Sequence, residues 1–133
     1  MKKILAAVLA VLMLLALCSC GKTAGAKLNL GSSEIYSDAE IKAAAAAVKR
    51  EFMTMDGCTL YSLSYAGDEA AADNLEYVWQ FDEAYDKCVV FESSFRSPKN
   101  GGGTWEKNAE YTWRWYAAKS PLGGWKVAAY GYG

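Results

Sequence analysis

The sequence predicts an α+β domain in residues 37–133, with two helices packed on one face of a curved four-stranded antiparallel sheet. Two observations lead to this fold class. An alanine-rich segment with helical spacing and clear caps opens the region. Four later runs alternate bulky apolar residues with polar ones, as strands with one solvated face do. The predicted order of elements is therefore α-β-α-β-β-β.

The first helix has the strongest signals in the chain. Ser37 and Glu40 have the spacing of a capping box, and Tyr36 and Ile41 flank them as a hydrophobic staple. Gly57 is suited to a position just beyond the end of the helix. The apolar residues that recur at helical intervals, and so form one stripe facing a core, are Ile41, Ala45, Val48 and Phe52.

A strand and a second helix are predicted next. The strand is the alternating run in residues 58–67, and Asp68 is placed to cap a helix that continues through residues 69–85. Within the predicted helix, Leu75 and Val78 have helical spacing, but three residues alternate as in a strand: Tyr77, Trp79 and Phe81. The alanine-rich start and the length of the segment favour the helix.

Three further strands complete the predicted sheet, in residues 87–96, 110–119 and 125–133. A short SPLGG turn joins the last two, whereas a long glycine-rich loop precedes them. The large residues predicted to share the core face are Val89, Phe91, Phe95, Tyr111, Trp113, Trp115, Trp125, Val127 and Ala129.

The opposite face of these strands is the best candidate for binding. It combines tyrosine with arginine, the composition enriched in the energetic centres of protein interfaces. Trp105, in the glycine-rich loop, either folds back onto the sheet or stands out as a contact. The possible binding surface therefore comprises Arg96, Trp105, Arg114, Tyr116, Tyr130 and Tyr132. The alternative is a solvated face on which tyrosines pack against arginine side chains.

The N-terminus has the pattern of an export signal. Two lysines precede an apolar run in residues 4–17, which is too short to span a bilayer. The sequence LCSC that follows resembles a bacterial lipobox with Cys20 as the lipid acceptor, and the alternative is an uncleaved anchor helix. We therefore expect a lipoprotein signal peptide at residues 1–19, then a lipidated Cys20 and a flexible tether through residue 36. The expected location is the outer face of the cell membrane, with the membrane itself as one partner.

Composition removes several classes of function. The chain has no histidine, which excludes Ser-His and Cys-His nucleophile pairs and histidine metal sites. Its formal net charge is −1 and it has no basic block, so nucleic acid is not an expected partner. We expect no cofactor and no metal. Cys58 and Cys88 form either a disulfide or two buried free thiols.

A family resemblance is carried by the lipobox and by the runs YSDAEIKAAAAAVKREF, VVFESSFRSP and WKVAAYGYG. With these features the chain resembles a family of small lipoproteins of Gram-positive bacteria that has no assigned function. The resemblance implies a reduced form of the cystatin-like cone seen in nuclear transport factor two. Its motifs are structural, so it carries over no catalytic residues.

These observations favour a binding or recognition module rather than an enzyme. The expected partner is a protein or a cell-envelope component, with a homodimer through the sheet face as a further possibility. One alternative is a small cone-type enzyme using a buried carboxylate, for which the candidates near aromatic runs are Glu76, Asp82 and Glu92. Another is a passive structural lipoprotein of the envelope.

Overall fold

The computed structural model of the protein describes residues 21–132, so the predicted signal peptide at residues 1–19 and Cys20 lie outside it. Its elements in chain order are β1 (Lys27–Asn29), α1 (Asp38–Phe52), β2 (Thr59–Tyr65), α2 (Asp68–Asp73), α3 (Leu75–Val78), β3 (Lys87–Arg96), β4 (Glu110–Lys119) and β5 (Lys126–Gly131). The strands form one sheet in chain order, with β1 parallel to β2 and the other pairs antiparallel. The predicted α+β class is confirmed, but the four-stranded antiparallel sheet is wrong.

The fifth strand comes from the segment predicted as a flexible tether. β1 pairs with Ser62, Leu63 and Ser64, along the edge of β2 that β3 leaves free. Further along the segment, the Ser33 hydroxyl donates to an oxygen of the Asp68 carboxylate at 2.6 Å. The sequence of β1 has no strand pattern of its own. It is a strand because the edge of β2 offers unpaired backbone groups.

The structure confirms the capping box and the apolar stripe predicted for the first helix. The Ser37 hydroxyl accepts from the backbone N–H of Glu40 at 3.2 Å, and the Glu40 carboxylate accepts from the backbone N–H of Ser37 at 3.3 Å. The same Glu40 carboxylate lies 2.6 Å from Nζ of Lys87 at the start of β3. The predicted apolar stripe, from Ile41 to Phe52, is buried against the sheet.

The predicted second helix over residues 69–85 is wrong, because the segment contains two short helices separated at Asn74. Asp68 does not cap the helix. Its carboxylate instead accepts hydrogen bonds from the Tyr65 and Ser33 hydroxyls, both at 2.6 Å. After α3 the chain turns, and the indole N–H of Trp79 donates to the carbonyl of Tyr85 at 2.7 Å. Local polar contacts therefore replace helical hydrogen bonds in this segment.

The helices lie on opposite faces of the sheet, which corrects the prediction that both cover one face. α1 packs on alternate residues of β3 and β4 that include Phe91 and Trp115. α2 and α3 pack on the intervening residues, which belong to a separate cluster with Cys88 and Val90. β3 begins with apolar residues on both of its faces, so each face requires a cover. Among residues 21–132, none of the helices combines the length and the hydrophobicity that a membrane span requires.

Candidate functional site

The structure divides the predicted binding surface into two groups. Tyr116 pairs with Ala129 and Ala117 pairs with Val127, so β5 contains one extra residue, a β-bulge. Beyond the bulge Tyr130 is opposite Trp115 and lies on the α1 face rather than with Arg114. The predicted placement of Tyr130 with the arginines, and of Ala129 on the core face, is therefore wrong.

The first group, which we call the aromatic pole, consists of Trp105, Tyr111, Trp113, Tyr130 and Tyr132 at one end of the sheet. Tyr130 stacks on Trp115 at 4.8 Å and on Trp113 at 5.4 Å between ring centroids. Trp105 folds back from its loop and lies 5.0 Å from Tyr111 and 5.3 Å from Trp113. Tyr132 is the outermost member, with 76% of its surface exposed.

The glycine-rich loop that carries Trp105 is fixed at its base by Ser97, which is buried. The Ser97 hydroxyl donates to the carbonyl of Glu106 at 2.6 Å and accepts from the backbone N–H of Ala109 at 2.8 Å. Farther along the loop, Gly101 has a φ of +69°, a backbone conformation that residues other than glycine rarely adopt. These hydrogen bonds fix the loop and so hold Trp105 in a defined position.

The second group lies on the sheet face opposite α1, which we call the outer face. Arg114 is paired with Glu92 at 3.1 Å. Arg96 donates to the Tyr61 hydroxyl at 2.9 Å and to the carbonyl of Asn108 at 2.6 Å. Both arginines therefore have partners within the fold, as the solvated-face alternative expects.

Tyr116 joins a set of exposed aromatic residues that sequence analysis placed on a long helix. We call this set the outer aromatic patch, and its members are Tyr77, Trp79, Phe81 and Tyr116. The Tyr77 ring lies 4.9 Å from that of Tyr116 and 5.6 Å from that of Phe81. Tyr77, Trp79 and Phe81 are 36%, 42% and 52% exposed. Their alternation in the sequence was the signal that the helix prediction overrode.

An open groove of about 500 Å³ lies between the aromatic pole and the polar residues of the outer face. Its lining combines the ion pair of Glu92 and Arg114 with Trp113 and Tyr132 of the aromatic pole. The indole nitrogen of Trp113 is buried and has no hydrogen-bond acceptor among residues 21–132. The groove thus has polar and aromatic groups but no enclosing wall.

The residues proposed for acid–base chemistry are not buried. Glu76, Asp82 and Glu92 are all exposed, and the only buried polar side chains in residues 21–132 are Ser93 and Ser97. Their exposure does not fit the buried carboxylate that the cone-enzyme alternative requires. The described residues also contain no group of three metal-ligating side chains.

Cys58 and Cys88 are both free and buried. They belong to separate hydrophobic clusters on opposite faces of the sheet, so the disulfide alternative is not the one this structure has. Burial raises the pKa of the Cys58 thiol and raises the pKa of Cys88 to about 12. Both side chains therefore remain protonated thiols at neutral pH and fill the core.

Comparisons of the chain with protein-family models, curated proteins and solved structures found no match. The two aromatic surfaces are the features of the described residues that indicate a function. Sequence analysis identified Trp105, Tyr130 and Tyr132 of one surface and Tyr116 of the other, but it grouped them together.

Proposed function

We propose that the protein is a lipid-anchored, extracytoplasmic recognition module that binds another protein through the outer aromatic patch. In this proposal residues 1–19 direct export, Cys20 carries the lipid and the domain works on the outer face of the cell membrane. The resemblance to small Gram-positive lipoproteins, and to the cystatin-like cone, is part of the same proposal. The position of α1 across the antiparallel strands β2 to β5 is compatible with that cone.

One observation carries the proposal: three large aromatic side chains are exposed on a short helix and its following turn, and Tyr77 contacts both Phe81 and Tyr116. Tyr77, Trp79 and Phe81 are each at least 36% exposed, although buried positions on the same sheet face are occupied by smaller residues such as Val90. Scattered exposed apolar residues are ordinary, but a contiguous aromatic group marks an interaction surface. Tyrosine and tryptophan are also the residues most enriched in interface hot spots.

A protein suits this patch better than a small ligand does. Small ligands are held in concave sites that bury most of their surface. None of the side chains of the outer aromatic patch lines the groove beside α1 or the groove beside Arg114. Protein interfaces require a central aromatic group with a polar rim, and Arg114 with Glu92 lies on the same outer face.

The proposal is tested by photo-crosslinking in cells that export the full-length protein. A photoreactive amino acid replaces Phe81 in one strain and Lys42 in a matched control strain. Lys42 is also exposed, but it lies on α1 across the sheet. We expect a discrete protein adduct from position 81 and none from position 42. A product of twice the protein's own mass from position 81 would identify the partner as a second copy.

Substitution sharpens the result. With the photoreactive residue at position 81, Trp79→Ser and Tyr77→Ser are expected to reduce the adduct strongly, because hot-spot residues carry most of an interface's energy. Equal adducts from positions 81 and 42, or an adduct unaffected by either substitution, would contradict binding at the outer aromatic patch.

A further inference from the structure

We infer that the aromatic pole is a membrane-contacting surface, held against the bilayer by a link with no flexible residue between the lipid anchor and the folded domain. This inference rests on the lipidation of Cys20 proposed above. It assigns the two aromatic surfaces to different partners, a lipid bilayer and a protein.

Gly21, the residue that directly follows Cys20 in the sequence, is hydrogen-bonded to the folded domain. Its backbone N–H donates to the carbonyl of Met53, at the C-terminal end of α1, at 3.0 Å. The next residue, Lys22, donates its N–H to the carbonyl of Cys58 at 2.9 Å and accepts from the N–H of Leu60 at 2.8 Å. Gly21 is buried. The folded domain therefore begins at the residue after the proposed anchor.

The fit around Gly21 is close. A Cβ atom at this position would lie 2.3 Å from the backbone carbonyl oxygen of Phe52, a separation that real Cβ atoms essentially never have. Gly21 thus lies against α1 where no other residue fits without movement. The attachment is part of the packing of the domain rather than an incidental contact.

The attachment of Gly21 to α1 lies at the end of the molecule that carries the aromatic pole. The Phe52 ring is 5.5 Å from the Phe95 ring, and Phe95 lies 5.7 Å from Trp105 and 5.0 Å from Trp113. A Cβ on Gly57, a few residues beyond α1, would lie 3.1 Å from Pro98, at the base of the glycine-rich loop. The end of α1, the glycine-rich loop and the aromatic pole are therefore neighbours.

The side chains at the end that carries the aromatic pole suit contact with a bilayer. Tryptophan and tyrosine are enriched where proteins meet the interfacial region of a bilayer, because their rings are apolar and their N–H and O–H groups remain hydrated. Met53, whose carbonyl accepts from Gly21, is 45% exposed. The loop that carries Trp105 also contains charged residues of both signs, Lys99, Glu106 and Lys107. The mixed charge suits contact imposed by the anchor and does not require anionic lipids.

The orientation leaves the outer aromatic patch free. Tyr116 of the patch lies on the outer face, whereas Trp113 and Tyr130 of the pole lie on the α1 face of the same sheet. The side chains of the patch are therefore on the other side of the sheet from the rings that contact the bilayer in this inference.

The test compares fluorescence labels at the two ends of β4. Single cysteines replace Thr104, in the glycine-rich loop, and Leu122, in the β4–β5 turn; both positions are exposed. The native thiols at Cys58 and Cys88 are buried with raised pKa values, so they do not compete for the label. Each full-length protein is produced with its signal, purified in lipidated form and reconstituted into phosphatidylcholine vesicles that contain a nitroxide-labelled lipid.

We expect the nitroxide lipid to quench the label at position 104 several-fold more than the label at position 122. Inserting 20 glycine and serine residues between Cys20 and Gly21 provides a reach of roughly 25 Å. This insertion is expected to bring the quenching at position 104 down toward that at position 122. Equal quenching at the two positions of the uninterrupted protein, or quenching at position 104 that the insertion leaves unchanged, would overturn the inference.

Mass spectrometry of the N-terminal peptide separates this inference from the proposed function. A peptide that starts at Cys20 and carries a diacylglyceryl group, with equal quenching at both positions, would overturn membrane contact by the pole but leave the anchor intact. An unmodified Cys20 would overturn both the anchor and the inference that rests on it.

Discussion

The aromatic pole and the outer aromatic patch contain the same kinds of side chain but are supported differently. The rings of the pole stack on Trp115 and Phe95, which are fully buried in the main core. Three of the four patch residues lie on α3 or just after it, and α3 has only four residues and no side-chain cap. The pole is therefore packed directly on core residues, whereas the patch lies on a short surface segment with exposed side chains.

The difference in support implies a difference in use. A surface that must bear on a membrane benefits from rings whose positions the core fixes. A surface that binds a protein benefits from side chains that contribute little to folding, since they remain free to gain energy on association. Four substitutions test this distinction, from the largest expected effect on stability to the smallest.

Trp115→Ala is expected to have the largest effect. Trp115 is fully buried, and its indole N–H donates to the Ser93 hydroxyl at 2.7 Å. Truncation of a buried tryptophan costs about 3–5 kcal/mol. Phe81→Ala in the patch, as the control, is expected to cost less than about 1 kcal/mol because the side chain is 52% exposed. Urea denaturation measures both, and similar losses would contradict the difference in support.

Ser97→Ala tests whether the loop is a support for the pole. The substitution leaves the N–H of Ala109 and the carbonyl of Glu106 without their hydroxyl partner, at a cost of about 1–3 kcal/mol. We also expect faster hydrogen exchange in residues 99–108. Ser94→Ala, on the outer face of β3 three residues earlier, is the control. An exchange rate in the loop that Ser97→Ala does not change would show that the loop is held by other contacts.

Asp68→Asn tests the attachment of the segment before α1. Hydrogen bonds from Ser33, from Tyr65 and from the backbone N–H of Glu34 hold the pKa of Asp68 below its ordinary value of 3.8. Because the folded pKa is lowered, the stabilisation is present above that ordinary value and is lost as the pH falls through the folded pKa.

The free energy of unfolding is therefore expected to be higher for the wild type than for Asp68→Asn at neutral pH, and the gap should narrow in acid. Unfolding curves at several pH values measure it. Asp73→Asn, at the other end of α2, is the control. A gap between wild type and Asp68→Asn that does not change with pH would contradict the assigned role of the carboxylate.

Arg114→Ala is expected to have the smallest effect on stability. Its ion pair with Glu92 is partly exposed, and such pairs contribute about 0–1 kcal/mol. If Arg114 forms part of the rim of the protein interface, the adduct from position 81 should weaken while the unfolding midpoint stays nearly constant. Loss of stability comparable to that of Ser97→Ala would place Arg114 among the structural residues instead.

The elements that sequence could predict are those whose signals are local. The capping box at Ser37 and Glu40 and the alternation in β3 and β4 identified three elements and most of the core. β1 could not be predicted, because Lys27–Asn29 becomes a strand only when the edge of β2 is available. The bulge at Ala128 is also invisible in a run of small residues, yet it moves Tyr130 to the other face.

Two of the errors had visible signals in the sequence. The continuous apolar run from Cys88 to Phe91 is typical of a strand covered on both faces, and it indicated that the helical segments would lie on opposite sides. The alternation of Tyr77, Trp79 and Phe81 likewise indicated an irregular segment. Neither signal, however, places Tyr77 against Tyr116, a contact that only the structure shows.

The most direct test of two surfaces with two partners is photo-crosslinking from positions 104 and 81 of the same membrane-anchored protein, with identification of each adduct by mass spectrometry. We predict lipid adducts from position 104 and a protein adduct from position 81. The same class of adduct from both positions would contradict the assignment of the aromatic pole to the membrane and the outer aromatic patch to a protein.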